Sequence, residues 1–217
     1  MAAPRSLSFA EQLPFKYVGG DLSIDLVNTV DWSLRGPAED RLTDYDRLTR
    51  WAEGAGVIAS RQGAQLRALA SSQPRIAERT HREAIELRWQ LRELFTATER
   101  GERLDGSDAL EAFNAALSET LSRLELASPP RGAPASVALR WSWQGASARL
   151  DSVLWPVRRA AAELLVSEEA AQIRECAGED CGWMYVDRSR NGLRRWCQME
   201  TCGNREKARR RAKSGAG

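Results

Sequence analysis

The 217-residue sequence has few of the features that mark secreted or membrane proteins. It contains no apolar run near the roughly 18 residues that a membrane-spanning helix needs. Its first segment, MAAPRSLSFAEQLPF, lacks the apolar h-region of a secretory signal. All four cysteines lie in the last 42 residues, so no disulfide framework crosses the larger part of the chain. We therefore expect a cytoplasmic protein.

Residues that usually carry catalysis are also scarce. The one histidine, His81, lies among Arg and Glu on a predicted long helix, which indicates a surface position. The pair Gly19-Gly20 is too short for a phosphate-binding loop, and no nucleophile elbow occurs. Asp25 and Asn28 could line a polar pocket, although Asx residues near a helix end more often cap it. We expect no enzymatic activity.

The charge that is present is unevenly distributed. The whole chain has a net charge of +2, yet the segment 188–213 holds ten Lys and Arg residues against two Glu, a net charge of +8. The other residues therefore carry −6. Such a division predicts an acidic body and a basic end that binds anions.

Hydrophobic periodicity predicts a mainly helical body. The longest helix should run from Pro74 to about Arg100, and capping or breaking residues indicate the others. These signals are Asp21 before LSIDLV, Thr43 with Asp46, Ser60, Gly106-Ser107-Asp108, the stretch 148–166 with Pro156 in its first turns or at a kink, and Ser167. Residues 31–42 are predicted to form a loop. The flanks of the loop 128–136 are expected to pair as a β-hairpin.

The cysteines follow the pattern C-x4-C-x15-C-x4-C, formed by Cys176, Cys181, Cys197 and Cys202. Two short-spaced pairs can supply the four thiolates that a structural zinc ion takes in tetrahedral geometry. Two disulfides would need an oxidising compartment, and a redox site usually shows one C-x-x-C pair. A catalytic zinc ion keeps an open position, which four thiolates do not leave. We predict one structural Zn²⁺.

The sequence between and after the pairs predicts the frame of this site. GWMYV and LRRWC are predicted strands, and Asn191-Gly192 in DRSRNG is a strong turn signal, so a hairpin should bring the pairs together. After Cys202, GNREKARRRAKS predicts a helix whose N-terminal dipole favours the Cys202 thiolate. The order of elements indicates a treble-clef or ribbon-like finger. A module of about 40 residues depends on its metal for stability.

The basic helix is a candidate nucleic-acid contact, because such a helix cannot be buried and phosphate would relieve its crowded charge. Arginines of the predicted hairpin could extend this surface, and Asn204 and Arg205 could read base edges. The full candidate set is Arg188, Arg190, Arg194, Arg195, Asn204, Arg205, Lys207, Arg209, Arg210, Arg211 and Lys213. The other interpretation is a solvated tail. Trp183 and Trp196 could stack on bases, although core packing over the metal is favoured.

These motifs resemble known families. The run C-G-N-R at Cys202–Arg205, with VDRSRN and RRWCQM upstream, is similar to the CGNR zinc finger across about 172–213. GGDLSIDLVNT and the Leu/Trp-rich helical middle resemble the ABATE domain across about 15–165. That domain accompanies this finger in bacterial stress-induced transcription regulators. At Met184-Tyr185 the finger more commonly has an aliphatic residue and then Phe, a departure that should not affect metal binding.

The resemblance implies a DNA-binding finger with the four cysteines as ligands. It also implies an N-terminal sensory domain for a small molecule, without identifying pocket residues. We thus predict a loosely ordered leader over 1–14, an ABATE-like domain over 15–168 and the finger with its basic helix over 172–213. The predicted fold class is mainly α with a small β-hairpin (α+β), followed by the finger.

The predicted function is a ligand-responsive regulator that binds double-stranded DNA. A homodimer would add phosphate contacts to those of a single finger. The alternative is an adaptor that uses the finger to bind protein or RNA. A third interpretation is an enzyme whose active site lies in the body, which a deep pocket with converging acid–base groups would support. The junction near 167–174 lacks a Gly/Pro/Ser run, so the two parts are expected to be docked or joined by a short helix.

Overall fold

A computed structural model describes residues 14–33, 36–132, 134 and 136–214. The leader predicted over 1–14 therefore lies outside the described residues, except for Pro14. In this part of the chain helices predominate, accompanied by three two-stranded antiparallel sheets. The predicted mainly helical α+β class is confirmed.

The regular elements follow one another in a simple order. The helices are α1 (Leu22–Val27), α2 (Tyr45–Gly54), α3 (Ser60–Ser72), α4 (Pro74–Arg100), α5 (Asp108–Leu121), α6 (Trp155–Leu165) and α7 (Asn204–Ser214). The strands are β1 (Val30–Ser33), β2 (Gly36–Asp40), β3 (Leu124–Ala127), β4 (Arg140–Trp143), β5 (Ile173–Glu175) and β6 (Met184–Val186). Short 3-10 turns cover Ala146–Ala148, Leu150–Val153 and Glu168–Gln172, and a π-helical turn covers Met199–Gly203.

Helix α4 is the central element. It spans 27 residues, begins with Pro74 in the first turn and ends at Gly101, whose φ of 65° provides a left-handed C-cap. Its apolar residues recur at helical spacing, so one face is buried against α1, α2 and α5. The predicted limits of this helix, Pro74 and Arg100, are confirmed.

Helix α1 is short but almost entirely buried. Asp21 caps it as predicted, with Oδ1 accepting a hydrogen bond from the Ser23 N–H at 2.8 Å. Ile24 and Leu26 are fully buried, and the helix packs against α4 and α6. Asp25 is also buried, and its carboxylate accepts the Gly19 N–H at 2.8 Å, which ties down the chain that enters the helix.

Residues 31–42 do not form the predicted loop. Strands β1 and β2 make an antiparallel hairpin within this stretch. Val30 and Trp32 of β1 are buried, and between them Asp31 points away to pair with Arg41 at 2.8 Å. The prediction was wrong because apolar and polar residues alternate over only a few positions here, a weak strand signal, whereas Gly36-Pro37 is a strong turn signal.

Two helix starts are also shifted from their predicted positions. The cap of α2 is Asp44, whose carboxylate accepts a backbone N–H of the first turn, and Thr43 precedes it. Helix α3 has Ala59 as its cap, so Ser60 is its first residue. Ser107 caps α5 as the sequence indicates.

His81 is half-buried, in contrast to its predicted surface position. Its Nε2 donates a hydrogen bond to the Leu42 carbonyl oxygen at 2.8 Å. The imidazole therefore braces α4 against the segment that follows β2, a structural contact that one-dimensional neighbours could not reveal.

The hairpin predicted from the flanks of the loop 128–136 is confirmed. Strands β3 and β4 are antiparallel, with Leu124 opposite Trp143 and Leu126 opposite Trp141. Two 3-10 turns then lead into α6, where Pro156 lies in the first turn, so the helix is not kinked there.

The body and the cysteine-rich segment share one apolar core. The 3-10 turn Glu168–Gln172 leads directly into β5, and Ile173 is fully buried. Val30 of the body belongs to the same buried cluster as Met184 of β6. Across the described residues, none of the helices combines the length and the apolar character that crossing a bilayer requires.

Candidate metal centre and basic helix

The four cysteines meet at one buried point. Their Sγ atoms all lie within 4.8 Å of one another, and the Cys181–Cys197 and Cys197–Cys202 Sγ distances are both 3.6 Å. Four sulfurs around a zinc ion at about 2.3 Å would be about 3.8 Å apart in a tetrahedron. A disulfide would bring two sulfurs to about 2 Å, and all four cysteines are free. The residues therefore fit a tetrathiolate zinc site, and Zn²⁺ is the cofactor of this finger.

Local backbone geometry forms each half of the site. Strand β5 ends just before Cys176, whose N–H donates to the Trp183 carbonyl at 2.8 Å, so the first pair closes as a knuckle. A Cβ on Gly178 would lie 3.2 Å from the Cys202 Cβ and 3.3 Å from its sulfur, so a larger residue would crowd the metal ligands. Cys202 lies in the π-helical turn immediately before α7. The metal thus joins the knuckle to the start of the basic helix.

Hydrogen bonds and charge prepare the sulfurs for a cation. The neighbouring Cys181 and Cys197 thiols lower the pKa of Cys176 well below its usual range, and the Cys197 and Gly178 N–H groups, which donate to the Cys176 Sγ at 3.2 and 3.4 Å, add to this shift. The neighbouring Cys176 sulfur raises the pKa of Cys181 to about 12, and burial adds to that rise. Cys197 is raised further for the same reasons, with its pKa far above the usual range. A divalent cation must displace these protons, so acid opposes its binding.

Arg205 adds a positive charge at the edge of this centre. Its Nη2 donates to the Cys202 Sγ at 3.0 Å. Zinc with four thiolates has a net charge of −2, so the guanidinium offsets part of that excess. The arginine of the C-G-N-R run is therefore oriented by the metal ligand that precedes it.

The predicted hairpin between the cysteine pairs is not formed. Strand β6 pairs with β5, with Arg174 opposite Tyr185, and not with the LRRWC segment. LRRWC instead wraps over the sheet, where the Tyr185 hydroxyl donates to the Arg194 carbonyl at 2.6 Å. The buried Asp187 carboxylate accepts the Arg194 N–H at 3.0 Å and closes the intervening loop. The turn at Asn191-Gly192 does exist, with a φ of 61° at Gly192.

The finger docks on the body through the motif GGDLSIDLVNT. Asn28 pairs with both backbone groups of Met184: its Nδ2 donates to the Met184 carbonyl at 2.8 Å, and its Oδ1 accepts the Met184 N–H at 2.9 Å. The Trp183 indole donates to the Val30 carbonyl at 3.0 Å, and the Val186 N–H donates to the Gly19 carbonyl at 2.8 Å. This role of Asn28 could not be predicted from the sequence, because its amide pairs with the backbone of a residue that lies 156 positions away.

The C-terminal half of α4 holds the other side of the finger. Arg92 donates to the Gly182 carbonyl and pairs with Glu175 at 2.5 Å, while Glu99 accepts the Glu175 N–H at 2.7 Å. Gly182 has a φ of +63°, and a Cβ there would come within 2.7 Å of the Trp32 Cβ, so only glycine suits this contact.

Two arginines of the predicted nucleic-acid set are used within the protein. Arg188 pairs with Glu169 at 2.5 Å and donates to the Gly20 carbonyl. Arg194 donates to the carbonyls of Val18, Trp196 and Cys197, and its guanidinium lies 4.1 Å from the centre of the Tyr185 ring. These side chains link the finger to the entrance of α1.

Three predicted residues at the start of α7 also have internal partners. Arg209 pairs with Glu179 at 2.7 Å and with Glu206 at 3.0 Å, which fastens the helix to the knuckle. The Asn204 side chain donates to the Glu200 carbonyl at 3.2 Å, and Arg205 contacts Cys202 as described.

The remaining candidates are exposed and form no salt bridge within the described part of the chain: Arg190, Arg195, Lys207, Arg210, Arg211 and Lys213. Arg195 lies 5.6 Å from the centre of the Trp196 ring. Trp183 is buried and Trp196 is half-buried, which agrees with core packing for both rings. The structure therefore divides the predicted set into cations that build the finger and cations that face solvent.

Comparisons with known proteins agree with this architecture. The family model ABATE, described as "putative stress-induced transcription regulator", matches residues 20–168. The model of the CGNR zinc finger matches residues 172–213. No curated protein matches the chain.

Proposed function

The chain belongs to the ABATE family and carries a CGNR zinc finger, and we propose that it regulates transcription by binding double-stranded DNA. The finger makes the contact, and the N-terminal domain controls it in response to a small molecule under stress. The zinc ion is structural, since four thiolates leave it no open position. We propose no enzymatic activity for the chain.

The main support for DNA binding comes from the solvent-facing cations of α7. Lys207, Arg210 and Arg211 are spaced i, i+3 and i+4, so their side chains share one side of the helix. All three are exposed and lack a carboxylate partner among the described residues. Adjacent like charges repel, and a polyanion relieves that repulsion while releasing its own counterions. The metal centre fixes the start of this helix, which gives the charged side a defined direction.

The first experiment measures binding of a fluorescent DNA duplex by anisotropy over a range of salt concentrations. The variant R210A/R211A should bind more weakly than the parent protein. Each lost phosphate contact lowers the slope of log K against log salt by about 0.9, so the loss of both should lower it by about 1.8. The wild-type slope itself gives the number of phosphates contacted.

The matched control is R75A/R82A, which removes the same charge from exposed positions on α4. This variant should bind DNA like the parent. Equal weakening in both variants would mean that only net charge matters and would refute a specific role for α7. Preferential displacement of the duplex by a structured RNA hairpin would instead favour the adaptor function. Selection of bound genomic fragments would then identify the target sequence.

The docking of the finger supports a role for the N-terminal domain in control. Arg188 and Arg194 attach the finger to residues just before α1, and Asn28 attaches β6 to the end of the same helix. A conformational change in α1 or α4 would therefore shift the finger and, with it, helix α7. We also propose that the protein acts as a homodimer, because two fingers double the phosphate contacts. Light scattering on the purified full chain tests the dimer.

A further inference from the structure

A second concave site lies in the N-terminal domain, away from the finger. This cleft has a volume of about 780 Å³ and is bounded by α4, α5, α6 and the 3-10 turns before α6. The volume is within the range of small-molecule sites. Its walls mix apolar side chains with titratable groups of both signs.

Arg158 of α6 is the most unusual group in this cleft. The residue is only 8% exposed, and its Nε has no hydrogen-bond partner among the described residues. The one hydrogen bond that Arg158 makes within this part of the chain is long, 3.5 Å from Nη1 to the Thr120 Oγ1. It forms no salt bridge there, and the carboxylates of Glu83, Asp151 and Glu119 attract it only from beyond salt-bridge distance. A buried guanidinium stays charged and is costly without an acceptor, so its position calls for an anion.

Glu83 of α4 is the complementary group on another wall of the cleft. It is partly buried, which raises the pKa of its carboxyl. Among the described residues its one salt-bridge partner is the exposed Arg79 at 3.8 Å, and Arg158 attracts it from beyond salt-bridge distance. Two other acids of the cleft have closer arginine partners: Glu119 pairs with Arg123 at 3.3 Å and Asp151 with Arg149 at 3.0 Å. Asp151 accepts two hydrogen bonds from Arg149 and one from the Trp155 indole.

One wall of the cleft thus holds the buried guanidinium of Arg158, and another holds the carboxylate of Glu83. A simple anion bound to Arg158 would be repelled by Glu83. We propose that this cleft binds a free amino acid, with its carboxylate on Arg158 and its ammonium group on Glu83. Ile76, Leu87 and Leu150 supply apolar walls for the amino-acid side chain. Ala112 and Ala116 leave the space that larger residues would fill.

The position of the cleft provides a route to the finger. Glu83 lies in the N-terminal half of α4, and Arg92 and Glu99 in the C-terminal half hold the finger strand and knuckle. A ligand that shifts α4 would therefore act on both sites. This consequence for DNA rests on the proposed function, whereas amino-acid binding does not.

The test uses the full zinc-loaded chain and each of the common L-amino acids in turn, with thermal unfolding and calorimetry as readouts. At least one amino acid should raise the Tm in proportion to its concentration. Acetate and methylamine, which carry one charged group each, should bind far more weakly. The variant R158M should lose the Tm shift while remaining folded, since it removes a buried charge that lacks a partner.

R159M is the matched control, because Arg159 is adjacent on α6 but pairs with Glu163 outside the cleft. It should keep the response. A second variant, E83Q, changes a partly exposed side chain and should weaken binding without unfolding the protein. The proposal is overturned if no amino acid binds, if R158M and E83Q bind as the parent does, or if acetate alone binds as tightly. DNA affinity, measured separately, would still report on the finger.

Discussion

Several arginines of this protein donate hydrogen bonds to acceptors of their own chain. Arginine is the residue usually associated with DNA contact, yet Arg188, Arg194 and Arg205 donate to carbonyl and sulfur atoms of their own chain. Each guanidinium group donates hydrogen bonds to acceptors that the short strands and turns of a small finger leave unpaired. A basic sequence therefore contains both a scaffold and a surface, and only geometry separates them.

Arg205 should influence zinc more than DNA. The variant R205A removes the donor to the Cys202 sulfur and leaves the net charge of the site less compensated. Loss of such an outer partner typically weakens metal binding by about 10- to 100-fold. Competition with a chromophoric chelator measures this directly. R211A, which removes the same charge from a solvent-facing position on α7, should leave zinc affinity unchanged.

Asp25 should make the stability of the protein depend on pH. Burial raises its pKa to about 6, above the ordinary 3.8, so the folded state binds this proton more tightly than the unfolded state does. The contribution of Asp25 to stability is therefore greatest at acid pH and declines as the pH rises from about 4 to 6.

The variant D25N keeps an acceptor for the Gly19 N–H and removes the titration. Its difference in unfolding free energy from the parent should shift by an amount on the order of 2 kcal/mol between pH 4 and 7, in favour of the variant at neutral pH. Denaturant unfolding at a series of pH values gives this number. A parallel pH dependence in parent and variant would show that Asp25 titrates normally.

At the scale of elements, the docking of β6 on the end of α1 is the critical contact. Residues at the end of α1 are buried, and the side chain of Asn28 substitutes for a third strand by satisfying both backbone groups of Met184. The Asn28 amide thereby covers the edge of β6 that does not pair with β5, and this contact stabilises a sheet of only two three-residue strands.

The variant N28A should therefore destabilise the whole protein. It leaves a buried N–H and a buried carbonyl without partners, at a cost of about 1–3 kcal/mol each. Chemical denaturation measures the effect, and N114A, at an exposed position of α5, is the matched control. If N28A is as stable as N114A, water replaces the amide and the docking does not depend on this side chain.

At the scale of the whole molecule, finger and body form one structural unit. Ile173 and Met184 belong to the same buried cluster as Leu91 of α4. The zinc ion therefore supports more than the small module that binds it. This distinguishes the protein from chains in which fingers hang on flexible linkers and fold alone.

Zinc removal should accordingly lower the stability of the entire chain. Purified protein should contain about one zinc per chain, and a strong chelator should reduce the Tm of the main unfolding transition. Acid should promote release, because protons compete for the thiolates. Scanning calorimetry follows the transition. A body that melts at the same temperature with and without zinc would show that the two parts are energetically independent.

Features that depend on neighbours along the chain could be predicted from the sequence. The limits of α4 follow from helical periodicity, Pro74 and Gly101, and the metal site follows from four thiols in two short-spaced pairs. The resemblance to the ABATE domain and the CGNR finger likewise rests on contiguous motifs. Local rules suffice here because capping, turn formation and metal ligation act over a few residues.

Contacts between residues that are far apart in the sequence appear only in the folded structure. The β5–β6 pairing, the grip of Asn28 on Met184 and the division of the arginines into internal and solvent-facing groups could not be predicted. The sequence around LRRWC favours a strand, but Asp187 and Tyr185 offer its backbone better partners than a hairpin would. Hydrogen-bonding groups pair with whatever acceptor the fold brings near, and that choice is made in three dimensions.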